Sequence, residues 1–431
     1  MDVIVIGGGI AGVATAYQLR AAGHRVCVVE RHATVAQGAT YGHSGVVLPS
    51  PLDVWFGPTF LRDRRHSSSG VICKTGFGGQ ARAFVKRLGA LRSSEAFAAR
   101  YALLRPLIDS AESALDDATN RFQLDYEQRE GLLHLVRGND EWSLTQPALE
   151  LLRRFEVPHH ALSAAECIAF EHNIPPEPAF AGGVRIEAGR VANCPLFVKQ
   201  LKQVLDNQGG VQFQTGREVS AIRLESGRAA VELAPRLPAH ASAREVEVIS
   251  GDAVVVAAGA QTLPLVAPFG VKLPLYPLRM HTLNAPVAHE ECVPHTTIID
   301  AAKRIAITRM NHRLRISGGA VLLRANQVDE PLTEALTESA LALLGEASRD
   351  WAPGAARISA ALAWEGMKLL SADGLPAVGH AGHPRLFVNA GHGPAGWALA
   401  LGSAKLIAQQ ISGTAPDLPA DTVNALSPVR G

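Results

Sequence analysis

An α/β fold built around a parallel sheet is predicted by three observations. Residues 3–6 (VIVI) form a short apolar run of the kind buried on both faces of such a sheet. A glycine-rich turn, Gly7 to Gly12, follows at once and passes into helical spacing. A second apolar run, Asp252 to Gly259 (DAVVVAAG), lies far downstream and again ends on small residues.

Composition narrows what such a fold does. With 431 residues the soft expectation is about two or three domains. The 47% hydrophobic content is ordinary for a chain that buries a large core. A formal net charge of +1 gives no basic face for nucleic acid, and 5% aromatic residues argue against stacked bases. The five cysteines (Cys27, Cys73, Cys167, Cys194, Cys292) show no C-x-x-C spacing and read as reduced thiols, which favours a cytoplasmic setting. No metal-ligand spacing occurs. The opening MDVIVIGGG lacks the basic segment of a signal peptide and reads as a buried strand. Two long uncharged stretches, 253–271 and 386–404, raise the question of a membrane span, but their prolines, glycines and polar residues favour strand, turn and helix within a core.

Taken in order, strand 3–6 leads to a helix over 10–22, a glycine stop at Gly23 and a strand over 25–30 (RVCVVE). Residues 33–50 and 66–80 carry turn chemistry. Between Ala81 and Asn120 the spacing of Leu88, Leu91, Leu103, Leu104, Leu107 and Leu115 is helical. Short strands and one or two helices occupy 121–190, broken by Pro147, Pro158 and Pro175-Pro176. A helix over 196–207, a strand over 211–214 and charged strands across 217–249 precede the second apolar run. Alternation from Met280 to Leu323 predicts an antiparallel sheet. A helix over 332–345, a buried strand at 386–388 and a helix over 394–411 follow, the last with Pro394 in its first turn. Residues after Gly413 are expected to form a loosely held tail.

The glycine turn has a chemical reading. Gly7 permits the tight bend, Gly9 lets backbone approach a pyrophosphate, and Gly12 lets the helix pack close to the strand. The helix amino end offers unpaired N–H groups to phosphate. Glu30, at the end of the next strand, suits a ribose 2′-hydroxyl and repels a 2′-phosphate, so NADP is disfavoured. The pattern alone leaves FAD and NAD open. The turn's place at the N-terminus and the small-residue segments at 257–259 and 391–396 favour FAD, whose length needs contacts from distant parts of the chain.

Five segments together resemble one family. They are Gly7 to Gly12 with Glu30, Gly38 to Gly45 (GATYGHSG), Asp252 to Gly259, Ser371 to Gly379 (SADGLPAVG) and Asn389 to Trp397 (NAGHGPAGW). The chain resembles the D-amino-acid dehydrogenase branch of the FAD-dependent amino-acid oxidase and dehydrogenase superfamily, which includes glycine and sarcosine oxidases. The resemblance runs over nearly the whole chain. It implies a Rossmann-like FAD-binding domain, discontinuous over 1–50, 185–272 and 365–415. An inserted α+β substrate domain on a mostly antiparallel sheet would take 51–184 and 273–364, leaving 416–431 as the tail.

It further implies a cofactor-binding set. Gly7, Gly9, Ile10, Ala11 and Gly12 belong to the turn, with Glu30 and Arg31 beyond the second strand. Ala39, Thr40 and the Ser44-Gly45-Val46 backbone would follow the pyrophosphate and ring, Val219 the adenine, and Ala258-Gly259 the dinucleotide. Gly391, His392, Gly393, Pro394, Ala395 and Gly396 would lie over the pyrimidine side, where a helix amino end stabilises negative charge. A substrate carboxylate calls for an arginine fork. Arg313, Arg315 and Ser317 share one face of a predicted strand, and Arg315 matches the family's position best, with Arg279 its rival. His43 and His281 are placed to meet the substrate amine, where an imidazole of near-neutral pKa takes part in deprotonation.

The chain departs from the family pattern at Met280, at Lys368-Leu369 in place of Arg-Pro, and at Pro394-Ala395 in place of Thr-Leu. The expected activity is oxidative deamination of D-amino acids, with hydride passing from Cα to flavin N5 and a 2-oxo acid and ammonia as products. A secondary-amine or imino-acid oxidase (glycine, sarcosine or hydroxyproline type) and a non-catalytic FAD-binding protein are the alternatives. The expected partners are a small amino-acid substrate and, as electron acceptor, a quinone or respiratory-chain component, with peripheral contact at the inner face of the cytoplasmic membrane.

Overall fold

The computed structural model describes all residues except 48–49, 53–70, 74–78, 175–179, 226, 236–246, 288–292, 301–302, 323–335, 337–362 and 431. A six-stranded sheet runs in the order Ala377–His383, Leu386–Ala390, Ala253–Val256, Asp2–Ile6, Arg25–Glu30, Val211–Thr215. All neighbours are parallel except the first pair. The apolar strands are apolar because both faces are covered. Val3 and Val5 join a core with Leu19, Leu201 and Leu401 from the helices Ile10–Ala21, Cys194–Gln208 and Gly396–Ser412. Ile4 and Ile6 point the other way, into a core with Val231 and Leu233 of a three-stranded antiparallel sheet. That sheet comprises Arg217–Leu224, Ala229–Pro235 and Glu247–Gly251.

A second, nine-stranded sheet is mostly antiparallel and includes Ala363–Ser371, Leu275–Pro286, Arg313–Leu322 and Ile305–Met310 in that order. Thr297–Asp300 pairs in parallel with Arg129–Val136, and Val71–Cys73 with Arg313–Leu322. Helices Gly79–Gly89 and Ser94–Phe122 fill the stretch where helical spacing was read.

Three expectations are corrected. Pro147 does not break the chain: it lies inside the helix Asn139–Arg154. The N–H it lacks would have bonded the carbonyl of Ser143, an exposed residue rather than a buried one. The C-terminal segment is not loosely held. Ala420–Leu426 is a helix with Leu426 fully buried. Arg430 donates to Asp373 through Nε (2.8 Å) and Nη2 (3.1 Å) and to the carbonyls of Leu375, Pro376, Leu426 and Ser427. Its charge holds the Asp373 carboxyl below the usual range against the opposing effect of burial. Finally, the last long helix begins at Gly396, and Pro394 sits in a preceding 3-10 turn, Gly393–Ala395. The helix read over 332–345 lies outside the described residues except Leu336, which is helical and buried. Among the described residues no helix is long and apolar enough to cross a membrane. The described thiols Cys27, Cys167 and Cys194 are free.

Candidate active site

A cleft of about 520 Å³ opens at the carboxyl ends of Asp2–Ile6 and Ala253–Val256. There the chain leaves to opposite sides of the sheet, the switch point at which ligands of open α/β sheets bind. The cleft runs from Glu30 and Val219 at one end to His43, Lys368 and Gly393 at the other.

The first end is shaped by backbone. Gly7 has φ +111°, and a Cβ there would lie 2.4 Å from the Ala257 carbonyl oxygen. A Cβ on Gly12 would lie 1.8 Å from the Gly7 carbonyl oxygen, so only glycine lets the helix start this close to the strand. Ile10 N–H donates to Thr40 Oγ1 at 2.9 Å, which leaves the Thr40 hydroxyl proton available to an anion. Glu30 is buried and accepts from Gly8 N–H at 2.6 Å and from His32 N–H at 2.8 Å. His32 Nδ1 stands 2.6 Å from the same carboxylate.

The other end is shaped by side chains gathered on the turn 42–43. The Gly42 carbonyl accepts from Lys368 Nζ at 3.0 Å and from Thr282 Oγ1 at 3.0 Å. The His43 carbonyl accepts from Arg315 Nη1 at 2.9 Å. Arg315 Nε donates to Asn284 Oδ1, its cross-strand neighbour, at 2.9 Å. Lys368 and Arg315 are both buried, and among the described residues neither pairs with a carboxylate. Burial lowers Lys368 to about 8, the nearby Cys194 opposing and Arg315 reinforcing the shift. Burial likewise lowers Arg315 to about 10, with Arg313 acting in the same direction.

His43 is buried, and its Nδ1 accepts from Gly45 N–H at 3.1 Å, so the ring proton sits on Nε2. Burial holds its pKa well below the usual imidazole value, the charges of Lys368 and Arg315 push the same way, and the Pro394 carbonyl opposes them. The expectation of a near-neutral base is therefore corrected: His43 presents a donor. His392 is also neutral, lowered by burial to about 4, with Nε2 3.0 Å from Ser403 Oγ. His281 lies 3.1 Å from the Gly319 carbonyl through Nδ1 and 3.3 Å from Glu365 through Nε2, and Arg279 pairs with the same carboxylate at 3.1 Å.

These residues fit FAD. The cleft is long, it begins at an acidic residue and a helix amino end, and it finishes among buried cations. Two buried polar atoms on its lining residues, His43 Nε2 and Asn389 Oδ1, complete no hydrogen bond within the protein.

Most of the residues expected from sequence line this cleft, from Gly7, Gly9, Ile10 and Ala11 through Arg31, Ala39 and Thr40 to Val219. Ala258, Gly259, Gly391, His392, Gly393 and Gly396 do so as well. Gly12, Ser44, Gly45, Val46, Pro394 and Ala395 do not: Gly12 supports the wall from behind, and Val46 bridges to Val191. Arg315 and His281 also stand off the lining, tied to neighbouring strands. In the sequence Lys368 stands out only as a departure from the family pattern, with no role attached. Its signal was a lone lysine in the strand 366–370 (GMKLL). His32 and Trp364 on the lining were missed too.

A sequence profile of the family described as FAD dependent oxidoreductase matches residues 2–410. D-amino acid dehydrogenase of Cereibacter sphaeroides is 30% identical over 430 residues, covering 97% of this chain and 93% of its own. Glycine oxidase from Geobacillus kaustophilus superposes with a TM-score of 0.70 at 20% identity, over 100% of this chain and 98% of its own. L-proline dehydrogenase from P. horikoshii superposes with a TM-score of 0.68 at 18% identity, over 100% and 97%. The two solved structures share the fold.

Proposed function

The chain belongs to the FAD-dependent oxidoreductase family, and from that premise we propose that it deaminates D-amino acids oxidatively. One observation carries the reading: a buried ammonium, Lys368, on the cleft wall with no carboxylate partner among the described residues. A buried charge without its counter-ion is costly, and a substrate carboxylate supplies the counter-ion. The relative's name, D-amino acid dehydrogenase, supports the handedness.

Bound FAD supplies the acceptor for the hydride leaving Cα, and hydrolysis of the imine gives a 2-oxo acid and ammonia. The chain's own residues then divide the work. The turn 7–12 and Thr40 would hold the pyrophosphate of FAD, and Glu30 its ribose. Lys368 takes the substrate carboxylate, while Arg315 acts through the His43 carbonyl to keep turn 42–43 in place. His43 removes no proton, because Nδ1 accepts from Gly45 N–H and Nε2 already carries the ring proton. The substrate amine therefore reaches the site neutral or loses its proton to water. In this reading the FAD-binding unit is discontinuous over 1–50, 185–272 and 365–415. Electrons leave to a quinone or respiratory-chain component, and the protein is cytoplasmic with peripheral membrane contact.

Anaerobic bleaching of the flavin by a panel of D- and L-amino acids, proline derivatives and N-methylglycine tests the reading. Bleaching by D-amino acids is expected. Bleaching only by secondary amines would move the protein to the imino-acid alternative.

A further inference from the structure

We propose that Trp364 is a fixed wall of the substrate chamber and limits the size of the substrate group beside Lys368. The proposal rests on the reading above that Lys368 holds the carboxylate.

Trp364, Gly366 and Lys368 alternate along the strand Ala363–Ser371, share one of its faces and all line the cleft. The indole is gripped between two glycines. A Cβ on Gly42 would lie 2.0 Å from its Cε3 and 2.1 Å from its Cζ3. A Cβ on Gly366 would lie 2.2 Å from Cζ2 and 2.6 Å from Cη2. Neither glycine has a positive φ, so the backbone makes no demand for glycine at either place. The indole alone makes that demand.

Gly42 also joins the ring to the cation. Its Cα packs on the indole, and its carbonyl accepts from Lys368 Nζ. The second donor to that carbonyl, Thr282, is the cross-strand partner of Trp364. Indole and ammonium therefore stand within one residue of each other on the same turn. A substrate anchored at Lys368 has its Cα substituent beside a ring packed on both sides. Small substituents fit; long aliphatic or aromatic ones meet the indole.

The test uses the FAD-loaded protein and two carboxylates that cannot turn over, acetate and benzoate, titrated by the change they cause in flavin absorption. Wild type is expected to bind acetate more tightly than benzoate. Trp364→Ala should tighten benzoate by about 10-fold or more and leave acetate within about threefold, and Trp364→Phe should fall between. Equal changes for both ligands, or none, would overturn the proposal. Lys368→Ala tests the underlying reading separately: it should lose both ligands. If that variant keeps both while Trp364→Ala shifts the preference, the carboxylate assignment fails and the wall stands. The clamp has its own readout in FAD affinity. Gly42→Ala should weaken it in wild type and be tolerated in Trp364→Ala, and additive effects would contradict the clamp.

Discussion

At the phosphate end of the cleft the walls are backbone, and their shape follows from the absence of side chains at Gly7 and Gly12. At the ring end they are side chains drawn from three strands, Leu275–Pro286, Arg313–Leu322 and Ala363–Ser371, converging on turn 42–43. The first end buries one charged group, Glu30, already satisfied by Gly8 and His32. The second buries two cations that no described carboxylate meets. In the proposed function one end is a mould for a constant group, the adenine dinucleotide, and the other is an electrostatic demand that the substrate carboxylate would meet.

The contrast is sharpest where glycine is replaced. Gly12→Val forces a side chain into the Gly7 carbonyl and is expected to cost about 4 kcal/mol or more, as overpacking with backbone shift does. The purified protein should carry no flavin absorbance, and a yellow variant would show that the mould is looser than described. Lys368→Ala addresses the opposite end. It should lower kcat/KM for D-amino acids by about 100-fold or more, the scale for truncating one partner of a buried charge pair, while flavin content stays the same. Loss of flavin with it would mean that the two ends are not separable.

The pH dependence distinguishes them further. Lys368 is protonated below about 8, so carboxylate affinity should be flat below that pH and fall about tenfold per unit above it. FAD affinity should not follow. The unfolded chain keeps the Lys368 proton up to its ordinary value of 10.5, whereas the folded chain releases it near 8. This group's contribution to stability therefore rises with pH between those values. The smallest effect is at the satisfied acid: Glu30→Gln should weaken FAD by about tenfold or less, measured by fluorescence of released flavin.

What could be read in advance divides along the same line. The strand 3–6, the turn 7–12 and Glu30 fall within one short stretch of chain whose spacing reveals them, although the clash that requires glycine at Gly7 is with Ala257, far along the chain. Burial of both faces of 253–256 was equally plain from its apolar run. Arg315 was placed on the correct strand and face, but its Nε is spent on Asn284, a fact of strand register between 284 and 315 that no local pattern carries. The resemblance points to His43 but not to its protonation, because burial, and then the charges of Lys368 and Arg315 from distant strands, lower its pKa. Lys368 showed only as a lysine among apolar neighbours. The C-terminal segment looks loose in sequence because its hold depends on Arg430 reaching Asp373 across the fold.

The most direct test of the whole account is an anaerobic titration of the flavin-loaded protein with D-alanine and L-alanine, read as loss of flavin absorbance. Bleaching by the D-form, abolished at the same concentrations in Lys368→Ala, is the predicted result. A flavin left oxidised by every amino acid of either hand, or bleached equally well without Lys368, would contradict it.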